Sequence, residues 1–351
     1  MKSNVILGLS WNHDSHASII CDGKIVASVG EERLSRIKNH YGFPFRAIAE
    51  CLKLSDLQPT DIDCVAIANT TALPAYLNDL WFNRRNVQYD ISNRAYWTVK
   101  FLLLKHHFLR FGRDQNIYNN SILNKNLKKA LKENSINAPV KFFDHHMCHA
   151  ASAFFSTDFK DGFVAVLDQF GDDKCVSFWS AKKNTLELVK SYDDIMSPGA
   201  FYTEITKYLG FKRYRHEGKV TGLAAHGDAS QLSKDFKKLL RFNPHSSNFS
   251  EIRPKVYKSL LEKVFYGTRK LFSKTAYQAT YITYQDFLQK TCSNRSIQDI
   301  AAAAQSVIEE FVLDAIAHNT RSLDVDNICL AGGTFANVLV NQKVGDLKNF
   351  K

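Results

Sequence analysis

No stretch of the 351-residue sequence is apolar for long enough to cross a bilayer. The N-terminus, MKSNVILGLSWNHDS, runs straight into a strand pattern without an apolar leader core or a small-residue cleavage site, which argues against a secretory signal. Paired cysteine spacing is missing as well. The seven cysteines, Cys21, Cys51, Cys64, Cys148, Cys175, Cys292 and Cys329, are scattered and odd in number. They fit neither a disulfide framework nor a zinc ribbon, and reduced thiols in a cytoplasmic protein are expected. A Walker A loop is also lacking. Acidic residues are outnumbered 35 to 46, for a formal charge of +11, and a basic chain invites a nucleic-acid reading. The excess lies in two segments, Lys100–Lys132 and Lys255–Lys274, rather than in one patch interleaved with aromatics. Solvated basic helix faces account for it better, and the same field would favour phosphorylated small substrates or an anionic membrane surface.

What remains is a chain with 45% hydrophobic residues, enough for well-filled cores and, at this length, for two lobes. Its organising stretch is Val140–Ser156, VKFFDHHMCHAASAFFS. A short apolar strand ends in Asp144, and His145, His146 and His149 follow at once. His145 and His149 are four apart, so on a helix they share a face one turn from each other. The following Ala-rich run favours that helix. A strand opening into such a helix is a plausible half of a metal site that needs ligands from elsewhere. Asp168 is the best candidate third ligand, because it ends the apolar strand Gly162–Leu167 where a hairpin turns toward a second strand, Cys175–Ser180.

Similar punctuation recurs along the chain. Val5–Ser10, Ser18–Cys21 and Ile25–Val29 read as strands, the last two joined by an Asp22-Gly23 hairpin turn. The polar loop Trp11–His16 between the first two could aim short polar groups at a phosphate. Arg46–Leu54 reads as a helix, Cys64–Ala68 as a strand, and residues 72–135 as a helical insertion. Within that insertion the stripe Trp97, Phe101, Leu104 and Phe108 reads as core packing. Ser197-Pro198-Gly199 leads into a helix over Ala200–Leu209. Glu217–Asp228, with three glycines around Lys219, suits a turn where backbone and an ammonium approach an anion. Residues 230–295 read as a second helical insertion and Ile300–Leu323 as a strong helix. The strand Asn327–Leu330 runs into Gly332-Gly333 and a helical Phe335–Val340, a place for a nucleotide to lie against backbone and a helix dipole.

With these residues assembled, the chain resembles the carbamoyltransferase family that includes nodulation-protein-U-like and antibiotic O-carbamoyltransferases. The stretches that carry the resemblance are HDSHASIICDGKIVASVGEERLSRIK, DHHMCHAASAFF, VAVLDQFGD, SPGAFYTEITKYLGF, EGKVTGLAAHG and NICLAGGTFANVLVNQK. They occur in family order and together span nearly the whole chain. The resemblance implies an α/β fold, two-lobed and actin-like (sugar-kinase-like). The first lobe would be 1–160, with its insertion at about 72–135. The second would be 161–351, with its insertion at about 230–295, and would be cut short at its C-terminal end.

The resemblance further implies transfer of a carbamoyl group to a hydroxyl of a sugar, polysaccharide precursor or secondary metabolite. Carbamoyl phosphate and ATP would first give a carbamoyl-adenylate. A divalent metal, iron(II) before zinc or manganese, would be held by His145, His149 and Asp168. His13 falls at the position of a histidine near the transferred group. Lys38 and Lys219 would contact substrate or phosphate, while Gly199, Gly332, Gly333 and Asn337 would shape the nucleotide and acceptor pocket. Family members continue into a further metal ligand and a C-terminal module that forms the adenylate. Such a module, or a second copy of the chain, would be the expected protein partner, the acceptor being a small molecule or glycan. Two departures stand out: Asp168-Gln169 replaces the usual Asp-Gly, and His16 and His226 stand where smaller residues or Tyr are usual. The rival expectations are a threonylcarbamoyl-transfer protein acting on tRNA and a nucleotide-binding subunit without catalysis.

Overall fold

The structure is a computed structural model and describes residues 3–10, 14–40, 42–68, 122–171, 174–193, 196–246, 248–252, 273–321, 323, 325–347 and 350. By contacts the chain divides into two compact units, Met1–His145 and His146–Lys351. The sequence reading sets this division after residue 160.

The first unit is built on a five-stranded sheet of order β3-β2-β1-β4-β5. Its strands are β1 (Val5–Ser10), β2 (His16–Cys21), β3 (Lys24–Gly30), β4 (Cys64–Ala68) and β5 (Val140–Phe143). Strand β1 buries every second residue, Val5, Leu7 and Leu9, as the two-residue period of a strand requires. It pairs antiparallel with β2 and parallel with β4. The β2–β3 turn places Asp22 at φ 50° and Gly23 at φ 81°, both left-handed, as a two-residue turn matching strand twist demands. Helix α1 (Glu31–Ser35) follows, then α2 (Phe45–Leu54), which buries Ala47, Ile48, Cys51 and Leu52. No side chain caps α2 from its own N-cap, Pro44. The buried Glu31 carboxylate does so from α1, accepting from the Ala47 N–H at 2.7 Å and the Arg46 N–H at 3.3 Å. Helix α3 (Ile122–Glu133) adds Leu127, Ala130 and Leu131 to the same core. The expected stripe at Trp97–Phe108 lies outside the described residues.

The second unit repeats the plan. Helix α4 (His145–Phe154) leads into β6 (Asp161–Gly171), β7 (Lys174–Lys182), β8 (Thr185–Tyr192) and β9 (Ile328–Ala331), in the order β8-β7-β6-β9. Two antiparallel pairings and one parallel pairing reproduce the β3-β2-β1-β4 part of the first sheet. This duplicated topology is the actin-like, sugar-kinase-like α/β pattern expected from the sequence. Four strands of it are present in the second sheet among the described residues.

Strand β6 faces two cores. Phe163, Ala165 and Leu167 enter a large cluster under α5 (Pro198–Tyr208) and α9 (Ile297–Thr320). Val164 and Val166 meet Ala150 and Phe154 of α4 on the other side. Ser197 caps α5 by accepting from the Ala200 N–H at 3.0 Å, and Ser296 caps α9 through the Asp299 N–H at 3.0 Å.

One expectation is corrected here. Glu217–Asp228 is not an anion-cradling turn: Glu217–Ala224 forms helix α6, packed along α9. Gly218 and Gly222 lie on its open side with no neighbour close to where a Cβ would stand, while Val220 is buried. Packing has overridden the poor helix propensity of glycine. The short α7 (Ser233–Phe236) and the long α8 (Ser273–Cys292) follow in sequence before α9.

A pH dependence follows from the first unit. His40 is buried, its Nδ1 3.0 Å from the Ser35 hydroxyl, and its carbonyl accepts from Ser15. Burial lowers its pKa below 6.5, and Arg46 lowers it further against an opposing pull from Glu31. A histidine that the fold keeps neutral contributes fully above its unfolded value and loses that contribution as pH falls below it. Lowering the pH from about 7.5 to about 5.5 is therefore expected to reduce the urea midpoint, and to reduce it less in His40→Asn. Equal pH sensitivity of the two proteins would contradict this.

Candidate functional site

Asp168 stands near the end of β6, where the ladder to β7 is interrupted between Leu167 and Gly171. Its two carboxylate oxygens point to different partners. Oδ1 accepts the Gln169 N–H at 2.8 Å and the Gly333 N–H at 3.3 Å. Oδ2 lies 3.7 Å from His149 Nε2. His145 and His149 lie one turn apart on α4, and the ligand atoms of His145, His149 and Asp168 all fall within 4.8 Å of one another. All three side chains are half-buried, open enough to admit an ion and protected enough to hold it.

The donor set suits a divalent transition ion. Two imidazoles and one carboxylate form the ligand class that borderline ions such as iron(II) and zinc accept. Bonds of about 2.0–2.2 Å to one central ion span nearly the separation seen. The Gly333 N–H fixes the carboxylate by one oxygen and leaves the other turned to His149, which is how outer hydrogen bonds usually orient a ligating carboxylate.

The Gly332-Gly333 turn meets this site through its backbone. Gly332 has φ 94°, and a Cβ on it would stand 2.4 Å from the Leu167 carbonyl oxygen. A Cβ on Gly333 would stand 3.1 Å from Asp168 Oδ1. The turn continues as a 3-10 helix, Gly333–Ala336, before α10 (Val338–Gly345). Gly199 closes on the same place from α5, where a Cβ would come within 3.0 Å of Gln169 Cα. Asp168, Gly199, Gly332 and Gly333 therefore share one corner of the second unit. The Gln169 amide, at the departure from the family's Asp-Gly, donates to the Tyr214 hydroxyl at 3.1 Å.

The remaining expected residues are placed differently. Asn337 is buried, caps α10 by accepting from the Leu339 and Val340 N–H groups, and exchanges hydrogen bonds with Gln305. The exposed Lys219 holds its ammonium 5.6 Å from the centre of the Phe211 ring. Lys38 is exposed in the first unit, beside Asn39, whose amide donates to Asp14 at 2.8 Å and whose N–H donates to Glu32. His13 lies outside the described residues. Sequence reasoning missed the polar layer that Tyr202, Thr221 and Gln305 form with Asn337, where the Tyr202 hydroxyl donates to Gln305 at 2.8 Å. Burial raises the Tyr202 pKa, so this layer is a neutral hydrogen-bonded floor. Tyr202 is 19 residues from Thr221 and 103 from Gln305, and only the fold brings them together.

Residues 5–351 match the family model described as Carbamoyltransferase N-terminus. The chain belongs to that carbamoyltransferase family. Among its relatives is the nodulation protein NolNO of Sinorhizobium fredii, 25% identical over 98% of this chain and 44% of its own length. An uncharacterised Synechocystis protein is 28% identical over 98% of this chain and 53% of its own length. A more partial match, 24% identical over 59% of this chain and 53% of the relative, is the tRNA N6-adenosine threonylcarbamoyltransferase of Fervidobacterium nodosum. The carbamoyltransferase-family chain thus spans about half the length of the first two relatives.

The two kinds of glycine make opposite predictions. Gly332→Ala forces a left-handed alanine against the Leu167 carbonyl and is expected to cost about 1–3 kcal/mol or more. Gly218→Ala, on an exposed helix face, is expected to gain up to about 1 kcal/mol. Urea denaturation of both variants checks this, and a neutral Gly332→Ala would contradict the close approach.

Proposed function

We propose that this chain is the transfer half of an O-carbamoyltransferase, working in the cytoplasm on a hydroxyl of a sugar, polysaccharide precursor or secondary metabolite. The observation that carries the reading is the meeting of His145, His149 and Asp168 at the Gly332-Gly333 turn, in a chain matched to a carbamoyltransferase family along nearly all its length. The scattered free thiols support the cytoplasmic setting.

In this reading carbamoyl phosphate and ATP supply a carbamoyl-adenylate, with phosphate released from the first and diphosphate from the second. The acceptor oxygen bonds to the carbamoyl carbon, the bond from that carbon to the adenylate oxygen breaks, and AMP departs. His13 takes the acceptor's proton as general base. Gly332 and Gly333 let the backbone approach the nucleotide where a side chain would obstruct it. Gly199, at the capped N-terminus of α5, and Asn337, as the cap of α10, keep two helix starts in place around that turn. Lys38 and Lys219 bring positive charge to phosphate groups. Residues His145, His149 and Asp168 hold one divalent ion, iron(II) before zinc or manganese. When bound, that ion supplies Lewis acidity toward phosphate oxygens and a template for the mixed anhydride.

The relative that acts in tRNA threonylcarbamoylation, together with the charge of +11, favours a second reading in which the acceptor is tRNA. A salt-sensitive gel shift with tRNA would support it.

Two measurements test the first reading. The purified chain is expected to retain close to one divalent ion, and His149→Ala to lose it; undiminished metal in the variant would contradict the ligand assignment. Mixed with the C-terminal half of a longer relative, the chain is expected to turn over ATP only when carbamoyl phosphate is present. Nucleotide binding without any carbamoyl transfer in that mixture would point to a non-catalytic subunit.

A further inference from the structure

His146 stands between two residues assigned to the ion, yet it lies on another side of the helix, its ring set edge-on to that of His149 with 6.4 Å between centres. On a helix the next residue is rotated by about 100°, so His146 leaves the face shared by His145 and His149. It heads instead the stripe His146, Ala150 and Phe154, at four-residue spacing, which is the buried side of α4. His146 itself has no exposed surface. A leucine or phenylalanine would fill such a place, so the imidazole calls for a reason.

The reason lies in its two ring nitrogens. Nε2 is 3.1 Å from the Lys174 carbonyl oxygen and Nδ1 is 2.8 Å from the Ser177 hydroxyl. A carbonyl only accepts, so Nε2 carries the hydrogen and Nδ1 is the acceptor of the neutral ring. The Ser177 hydroxyl then donates to Nδ1, and its oxygen accepts the Trp179 Nε1–H at 2.8 Å. The chain Trp179→Ser177→His146→Lys174 carbonyl has one polarity and no interchangeable members. Ser177 and Trp179 are two apart on β7 and so share the sheet face against α4. Lys174 opens β7 directly across from Gly171, at the end of the strand that carries Asp168.

We propose that His146 is the positioning residue of the histidine helix. Through Ser177, Trp179 and the Lys174 carbonyl it sets the rotation of α4 about its axis, and so the direction in which His145 and His149 meet Asp168. Apolar packing alone fixes how deep a helix sits more strictly than how it is turned. Two hydrogen bonds of opposite sense on one ring, anchored to the hairpin that bears the third ligand, fix the turn as well. The inference rests on the metal reading above and adds to it a residue that lies outside the ligand set and meets it through the edge of the His149 ring, 6.4 Å between ring centres.

The test uses the full chain stripped of metal and titrated with Co²⁺, read by its visible absorption and by the dissociation constant. Wild type is expected to give a visible band that saturates. His146→Phe keeps an aromatic ring, though a larger one, and removes both hydrogen bonds, and it is expected to weaken Co²⁺ binding ~10–100-fold and to shift the band at saturation. Ser177→Ala is a milder change outside α4 that decides the matter if His146→Phe does not fold; it is expected to move both readouts in the same direction by a smaller factor. A merely structural histidine would lower the melting temperature while leaving cobalt affinity and spectrum at wild-type values, and that result overturns the proposal alone. A wild-type chain that binds no Co²⁺ overturns the metal reading and this inference with it.

Discussion

The structure of the site depends on one carboxylate facing two ways. Asp168 gives one oxygen to backbone N–H groups, Gly333's among them, and leaves the other 3.7 Å from His149. A carboxylate has several lone-pair directions and can serve both partners at once, so it joins the histidine helix to the Gly332-Gly333 turn. The glycines follow from that joint. A side chain at 332 would run into the Leu167 carbonyl and one at 333 into the carboxylate itself. Gly199 is held to the same standard by its approach to Gln169.

Around this corner the second unit is built for rigidity. Strand β6 is packed on both faces, so the strand that delivers Asp168 has little room to shift. Helix α4 rests on one of those faces through Ala150 and Phe154 and is turned by the His146 chain. Caps at Ser197 and Asn337 start the two helices that enter the same region. These are the elements of a preorganised site, in which position is fixed before any ligand arrives.

Much of the fold was legible in the sequence. Val5–Ser10, Cys64–Ala68 and Val140–Phe143 are strands with the boundaries that their apolar runs predict. The first two lie inside the sheet, where both neighbours are strands and hydrophobicity is concentrated, while Val140–Phe143 closes its edge and was legible from three apolar residues in four. Strand β8 escaped notice because it is an edge strand that leaves Leu188 and Val189 largely exposed, so it shows no clear alternation. Helix α6 escaped because two glycines disguise it, and its packing partner α9 lies some seventy residues further along the chain. In the site, the four-residue spacing of His145 and His149 was readable because a helix is local. Asp168 was readable as a strand-end acid. Its bond to Gly333 spans 165 residues and had no local signal, and the same holds for the His146 to Ser177 contact, 31 residues apart. Asn337 was assigned to the pocket by likeness, and its side chain is engaged as a helix cap.

The central claim is that His145, His149 and Asp168 together hold one divalent ion. X-ray absorption at the metal edge of the loaded chain tests it most directly. The account predicts a first shell of nitrogen and oxygen only, with the outer-ring scattering of two imidazoles. A sulfur neighbour, which would bring Cys148 into the shell, or scattering from fewer than two imidazoles would contradict it.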